Sequence, residues 1–180
     1  MTSTSSMIGM PFALIMVLAA FSDVRARRIP NALTMWGALA AVVLWGVIGG
    51  ASTALLSVAG GALALIVGIP VFALGAFGGG DVKLLVVTGA FLGPARLLVA
   101  LLVIGIVGGL LALVVAIARR RLLSVLVSAW HLSANLATLG RKGTSRDITS
   151  AGAITVPYGV AIAVGSLMTW YVYASALVAR

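Results

Sequence analysis

Six apolar runs divide this chain: approximately Met7 to Phe21, Ala32 to Ile48, Thr53 to Phe77, Val82 to Leu92, Arg96 to Ala118 and Ile154 to Val178. A bilayer crossing takes about 20 apolar residues in a helix, because in hydrocarbon every backbone N–H and C=O must be satisfied within the segment. Short loops then leave room for on the order of six helices and for little else. The fourth run is short alone, so it is expected to start in the glycine stretch before it and to tilt or end below the far surface. The fold class expected is all-α, a polytopic membrane helical bundle of about six transmembrane helices, with 1–180 as a single domain. Composition agrees: 62% of residues are hydrophobic and 8% charged, against roughly 25% charged in a soluble domain.

Twelve Lys and Arg against three Asp and Glu give a net charge of +9. In a soluble protein this would raise the idea of nucleic acid as a partner. Here the bases lie between apolar runs, so no nucleic-acid role is expected, and the anionic leaflet is their natural partner. If Asp23 faces the cytoplasm, that side also receives Arg25, Arg27, Arg28, Lys83, Arg119, Arg120, Arg121, Arg141, Lys142 and Arg146, leaving only Arg96 and Arg180 elsewhere. The asymmetry orients the bundle with its N-terminus outside. Trp45, Trp170, Tyr171 and Tyr173 then fall toward the outer interface and Trp36 toward the inner one, as in an aromatic belt. The first run has no basic residue before it and no cleavage site after it, which reads as a retained helix and not a secretory signal.

The segment Leu122 to Leu139 is expected to lie on the cytoplasmic surface as an interfacial amphipathic helix. Ser124, Ser128, His131, Asn135 and Thr138 recur at spacings of four and three, drawing one polar stripe, and a crossing would put "ARRR" and "GRKG" on opposite sides. Pro30 and Asn31 suit the start of the second helix, with proline in the first turn and asparagine as a cap. Gly105 and Gly109 form a G-x-x-x-G pair expected to permit close helix packing. The absence of cysteine excludes a disulfide, a thiol nucleophile and a cysteine-ligated zinc site.

Asp23 closes the first run and Asp81 opens the fourth, so this topology brings both to one membrane face. A carboxylate near hydrocarbon costs about 2.5 to 3.5 kcal/mol at a helix centre and less toward the interface, so it marks function by default. Two carboxylates about 3 Å apart cannot both ionise: one keeps a proton while the other stays anionic. The anionic member can take a proton from water attacking a peptide carbonyl. The protonated member can hydrogen-bond that carbonyl and then protonate the leaving amine. Neither a metal nor a cofactor is required. Gly78, Gly79 and Gly80 permit positive φ and carry no side chain, so an extended substrate backbone can approach Asp81.

"SDVRARRIPNALT", with Asp23 ahead of Ile29-Pro30-Asn31, is followed by "GGGDVKLL", in which Gly78, Gly80 and Asp81 fill a G-x-G-D pattern with Lys83 behind it. "VPYGVAIAVG" then supplies Pro157, Tyr158 and Gly159 in the last run. This combination resembles the type IV prepilin peptidase family. The resemblance implies an aspartic endopeptidase that removes the short basic leader of prepilins or pseudopilins at the cytoplasmic face of a bacterial inner membrane. It implies Asp23 and Asp81 as the catalytic pair. Larger members carry a cysteine-bearing domain and methylate the new N-terminus; this chain has neither the cysteines nor the length, and so resembles the short peptidase-only form of Flp or tight-adherence pili.

Gly78, Gly79, Gly80, Lys83, Pro157, Tyr158 and Gly159 are expected to bind substrate or shape the site. Lys83 also reads as a snorkelling anchor, Arg25, Arg27 and Arg28 as topology signals, and Asp147 and His131 as ordinary polar residues. Two rivals share features. An intramembrane protease using G-x-G-D would cut within substrate spans, but its aspartates are expected inside apolar helices, whereas Asp23 stands beside a basic loop. A cation channel or transporter would need more polar groups deep in the bilayer.

Overall fold

The computed structural model describes residues 3–118 and 158–178. Among these, four helices and no strand are present: α1 (Ser3–Ala26), α2 (Asn31–Ala73), α3 (Gly79–Ala118) and α4 (Tyr158–Val178). The expected interfacial helix over 122–139, with His131, lies outside the described residues, as do Pro157 and Asp147.

The second and third apolar runs form one element, α2, and the fourth and fifth form another, α3. Each is broken at a glycine: Gly50 (φ 78°, ψ −169°) and Gly93 (φ 75°, ψ 170°). A side chain would strain a backbone in that region, which is why glycine stands at both breaks. Pro94 follows the second break, where an absent N–H does least harm. The Thr53 hydroxyl donates to the Trp45 carbonyl across the first break. In a straight helix those residues would be about 12 Å apart along the axis, so the arms 31–49 and 51–73 fold back on each other.

α1, α2 and α3 are long and apolar enough to cross a membrane. Large apolar side chains point outward, including Val47 at 80%, Met10 at 73% and Leu102 at 70% exposure. In water such a surface would drive aggregation; facing lipid it needs no cover. Inside, Ile8, Phe12 and Met16 of α1 meet Leu84, Val87 and Phe91 of α3 and Ile162 and Trp170 of α4.

The tightest contact between helices is Gly60 on Gly89, where a Cβ on Gly60 would stand 2.0 Å from the Gly89 carbonyl oxygen. Ser57 seals that seam by donating to the Ala90 carbonyl at 2.7 Å. Gly105 and Gly109, the expected packing pair, instead have no described atom within 4 Å of a built Cβ. The close approach on that turn belongs to Gly108, against Tyr158 and Ala161 of α4.

Trp170 is buried, with its ring centroid 5.8 Å from that of Phe12, and Trp45 is tied inward by donating from Nε1 to the Phe91 carbonyl at 3.0 Å. Tyr171 and Trp36 are exposed. Arg96 lies over the Tyr173 ring, 5.4 Å from its centroid.

Candidate active site

α1 ends at Ala26, three residues beyond Asp23, and the next residue, Arg27, still bonds through its N–H to the Asp23 carbonyl at 2.8 Å but has φ 50°. The chain therefore turns out of the helix immediately after the carboxylate. Asp23 is only 9% exposed. A buried carboxylate needs a donor, and the backbone N–H of Gly159 supplies one to Oδ2 at 2.8 Å. Gly159 belongs to the first turn of α4, where N–H groups lack partners within the helix and the helix dipole favours an anion. The approach is so close that a Cβ on Gly159 would stand 2.7 Å from the same oxygen.

Asp81 occupies the first turn of α3 and is half-buried. Its Oδ2 accepts from the Gly78 N–H at 2.9 Å, so the glycine stretch and the carboxylate hold each other. The expected use of positive φ at Gly78, Gly79 and Gly80 is not what these residues do, because the left-handed residue of this connection is Gly75, at φ 75°. Their value is steric. A Cβ on Gly80 would press on Ile29 at 3.3 Å, whereas Gly79 meets only Phe72, at 3.9 Å, and Gly78 only the Asp81 carboxylate. Among the described residues, the backbone at Gly78 and Gly79 is therefore uncrowded.

The remaining expected residues join these two centres. Tyr158 stacks edge-on against Phe77 with ring centroids 5.5 Å apart, which links the residue before Gly159 to the residue before Gly78. Thus Asp23, Asp81, Gly78, Gly79, Gly80, Tyr158 and Gly159 share one end of the bundle. Arg25, Arg27 and Arg28 are exposed at the same end, beside the connection that follows Asp23.

Two assignments change. Asn31 does not cap α2: the capping position is Pro30, with no side-chain hydrogen bond. The Asn31 side chain instead accepts from Lys83 Nζ at 2.8 Å, so Lys83 is tied to a neighbouring helix. The sequence signal for this pair was a polar residue on each side of a long apolar interval, but no local rule joins residues 52 positions apart.

A sequence model described as the type IV leader peptidase family matches residues 10–113, more than half of the chain and both aspartates. The chain belongs to the type IV leader peptidase family. With its exposed apolar helices, this leader peptidase relative is a membrane protein and a peptidase. No curated protein and no solved structure gave a match. The family match ends before α4, so Gly159, the donor to Asp23, lies outside the matched segment.

Proposed function

We propose that this protein is an aspartic endopeptidase whose two-residue centre is Asp23 and Asp81, and that it removes the leader of a prepilin or pseudopilin at the cytoplasmic membrane face. The observation that supports the reading is that Asp23 and Asp81, two of the three acidic residues in the chain, lie at one end of the bundle, linked through the Gly159 N–H to Asp23, the Tyr158–Phe77 ring contact and the Gly78 N–H to Asp81.

Both backbone N–H bonds fall on Oδ2 of their aspartates, at Gly159 and Gly78. In this reading the other oxygen of each carboxylate serves water and substrate. In the proposed mechanism one member acts as the carboxylate base and the other as the acid. Water attacks the scissile carbonyl carbon as the anionic carboxylate takes its proton, and the carboxylic acid donates to the carbonyl oxygen. Collapse breaks the C–N bond, and the leaving amine nitrogen receives a proton from the pair. The open side of Gly78 and Gly79 receives the extended segment around the scissile bond.

In this reading each arm of α2 and of α3 crosses the bilayer, giving six crossings with α1 and α4. The N-terminus lies outside, the basic loops face anionic lipid of a bacterial inner membrane, and the pilus served is of the Flp or tight-adherence type. The test is co-expression of a candidate prepilin with wild-type, Asp23→Asn and Asp81→Asn proteins, with leader removal followed by mass. Processing by either variant at the wild-type rate defeats the assignment.

A further inference from the structure

Asp23 and Asp81 stand on helices whose backbones scarcely meet. α1 lies chiefly along α4, whereas α3 lies chiefly along α2 and α4. The separation of the two carboxylates is therefore set through intermediate elements. One route is the first turn of α4, through Gly159 and Tyr158. The other is the connection from α1 to α2.

That connection is short and held at each step. Leaving α1 at Arg27, it is pinned by the Ser22 hydroxyl donating to the Arg28 carbonyl at 2.7 Å. It buries Ile29 against Gly80, the residue before Asp81. It then enters α2 at Asn31, whose Oδ1 accepts the 2.8 Å hydrogen bond from Lys83, two residues after Asp81. We infer that Asn31 and Lys83 form a positioning pair, which with the Ile29 contact fixes where Asp81 stands relative to Asp23. This rests on the peptidase reading above.

The division of labour follows from geometry. Two helical residues are turned about 200° from each other around the axis, so Lys83 points away from the side that Asp81 presents. While its ammonium holds Asn31 it is directed at α2, not at a peptide lying on Asp81. Ile29 against Gly80 limits how closely the connection approaches α3. The hydrogen bond resists its withdrawal. Lysine suits the task because its flexible stem carries three donors to a single neutral acceptor.

The test is a double-mutant cycle on full-length enzyme in vesicles of phosphatidylcholine and phosphatidylglycerol, cutting a purified prepilin. Lys83→Met and Asn31→Leu are each expected to lower kcat about tenfold while KM moves less than about twofold, because misplaced groups lose rate and not ground-state binding. The double variant is expected to be no slower than the worse single, since one bond is lost in all three. Lys83→Arg keeps a donor and restores kcat to within about threefold of wild type. The inference is overturned if the two losses multiply to about a hundredfold, or if KM rises at constant kcat, which would make Lys83 a substrate contact. It is also overturned if the loss of kcat merely follows loss of melting temperature in detergent. Asp23→Asn and Asp81→Asn run in parallel: activity in either sinks the peptidase reading, whereas their silence beside multiplying Lys83 and Asn31 effects sinks only the positioning pair.

Discussion

Gly159→Ala places one methyl group against a proposed catalytic carboxylate, and its effect can be worked from the coordinates. The new Cβ would stand 2.7 Å from Oδ2 of Asp23 and 2.9 Å from its Cβ and Cγ, where ordinary contact begins near 3.4 Å. About 0.7 Å must therefore open between α4 and α1. The obstructing atoms include Cβ, which is fixed to the α1 backbone, so a rotation of the carboxylate alone does not relieve the clash. The Gly159 N–H bond, now 2.8 Å, stretches to about 3.5 Å, where little of it survives. Overpacking of this kind typically costs about 1 to 3 kcal/mol of stability. A displacement of about 1 Å at a reacting group costs on the order of a hundredfold in rate. Single-turnover leader release, followed by mass in reconstituted vesicles, is expected to show that loss. Gly105→Ala and Gly109→Ala make the same chemical change where no described atom lies within 4 Å and are expected to retain the wild-type rate, with alanine adding up to about 1 kcal/mol of helix preference. A Gly159→Ala rate within about twofold of wild type would refute the reasoning, since the methyl group would then have found room without moving Asp23.

Two further predictions concern the scaffold. Gly60→Ala drives a Cβ to 2.0 Å from a backbone oxygen with no flexible side chain to yield, so a loss of about 3 kcal/mol or more is expected, read as a collapse in folded yield and melting temperature. Thr88 and Ser166 share a buried hydroxyl contact at 3.0 Å, and Thr88 also donates to the Leu84 carbonyl. Ser166→Ala is expected to cost about 0.5 to 1.5 kcal/mol and the Thr88→Val double variant little more, checked by thermal unfolding in detergent.

Much of the outline could be read from residue order, because hydrocarbon imposes its length on every crossing. The breaks at Gly50 and Gly93 coincide with "GGAS" and "GPAR", and α3 opens within the glycine stretch, as the short fourth run required. Which helix face meets which could not be read in this way. In water an amphipathic stripe marks the buried side, but these helices are apolar all round, and that signal is gone. Hence Gly105 and Gly109 matched a packing motif while Gly60 and Gly89 made the contact. The contact of the Trp170 ring with Phe12 likewise followed from no local pattern. Asn31 had the residue type and position of a cap, and tertiary structure gave its side chain to Lys83. Asp23 and Asp81 stood out because acids are scarce here, but the donor to Asp23 lies 136 residues away and follows no spacing rule.

The account turns on Asp23 and Asp81 working as one unit. Single-turnover cleavage rates of Asp23→Asn, Asp81→Asn and the double variant, measured on one prepilin in one bilayer, test this most directly. Each single substitution is expected to remove about as much rate as both together, as groups that act as one unit do. Losses that multiply, or a single variant that still cuts near the wild-type rate, would contradict it.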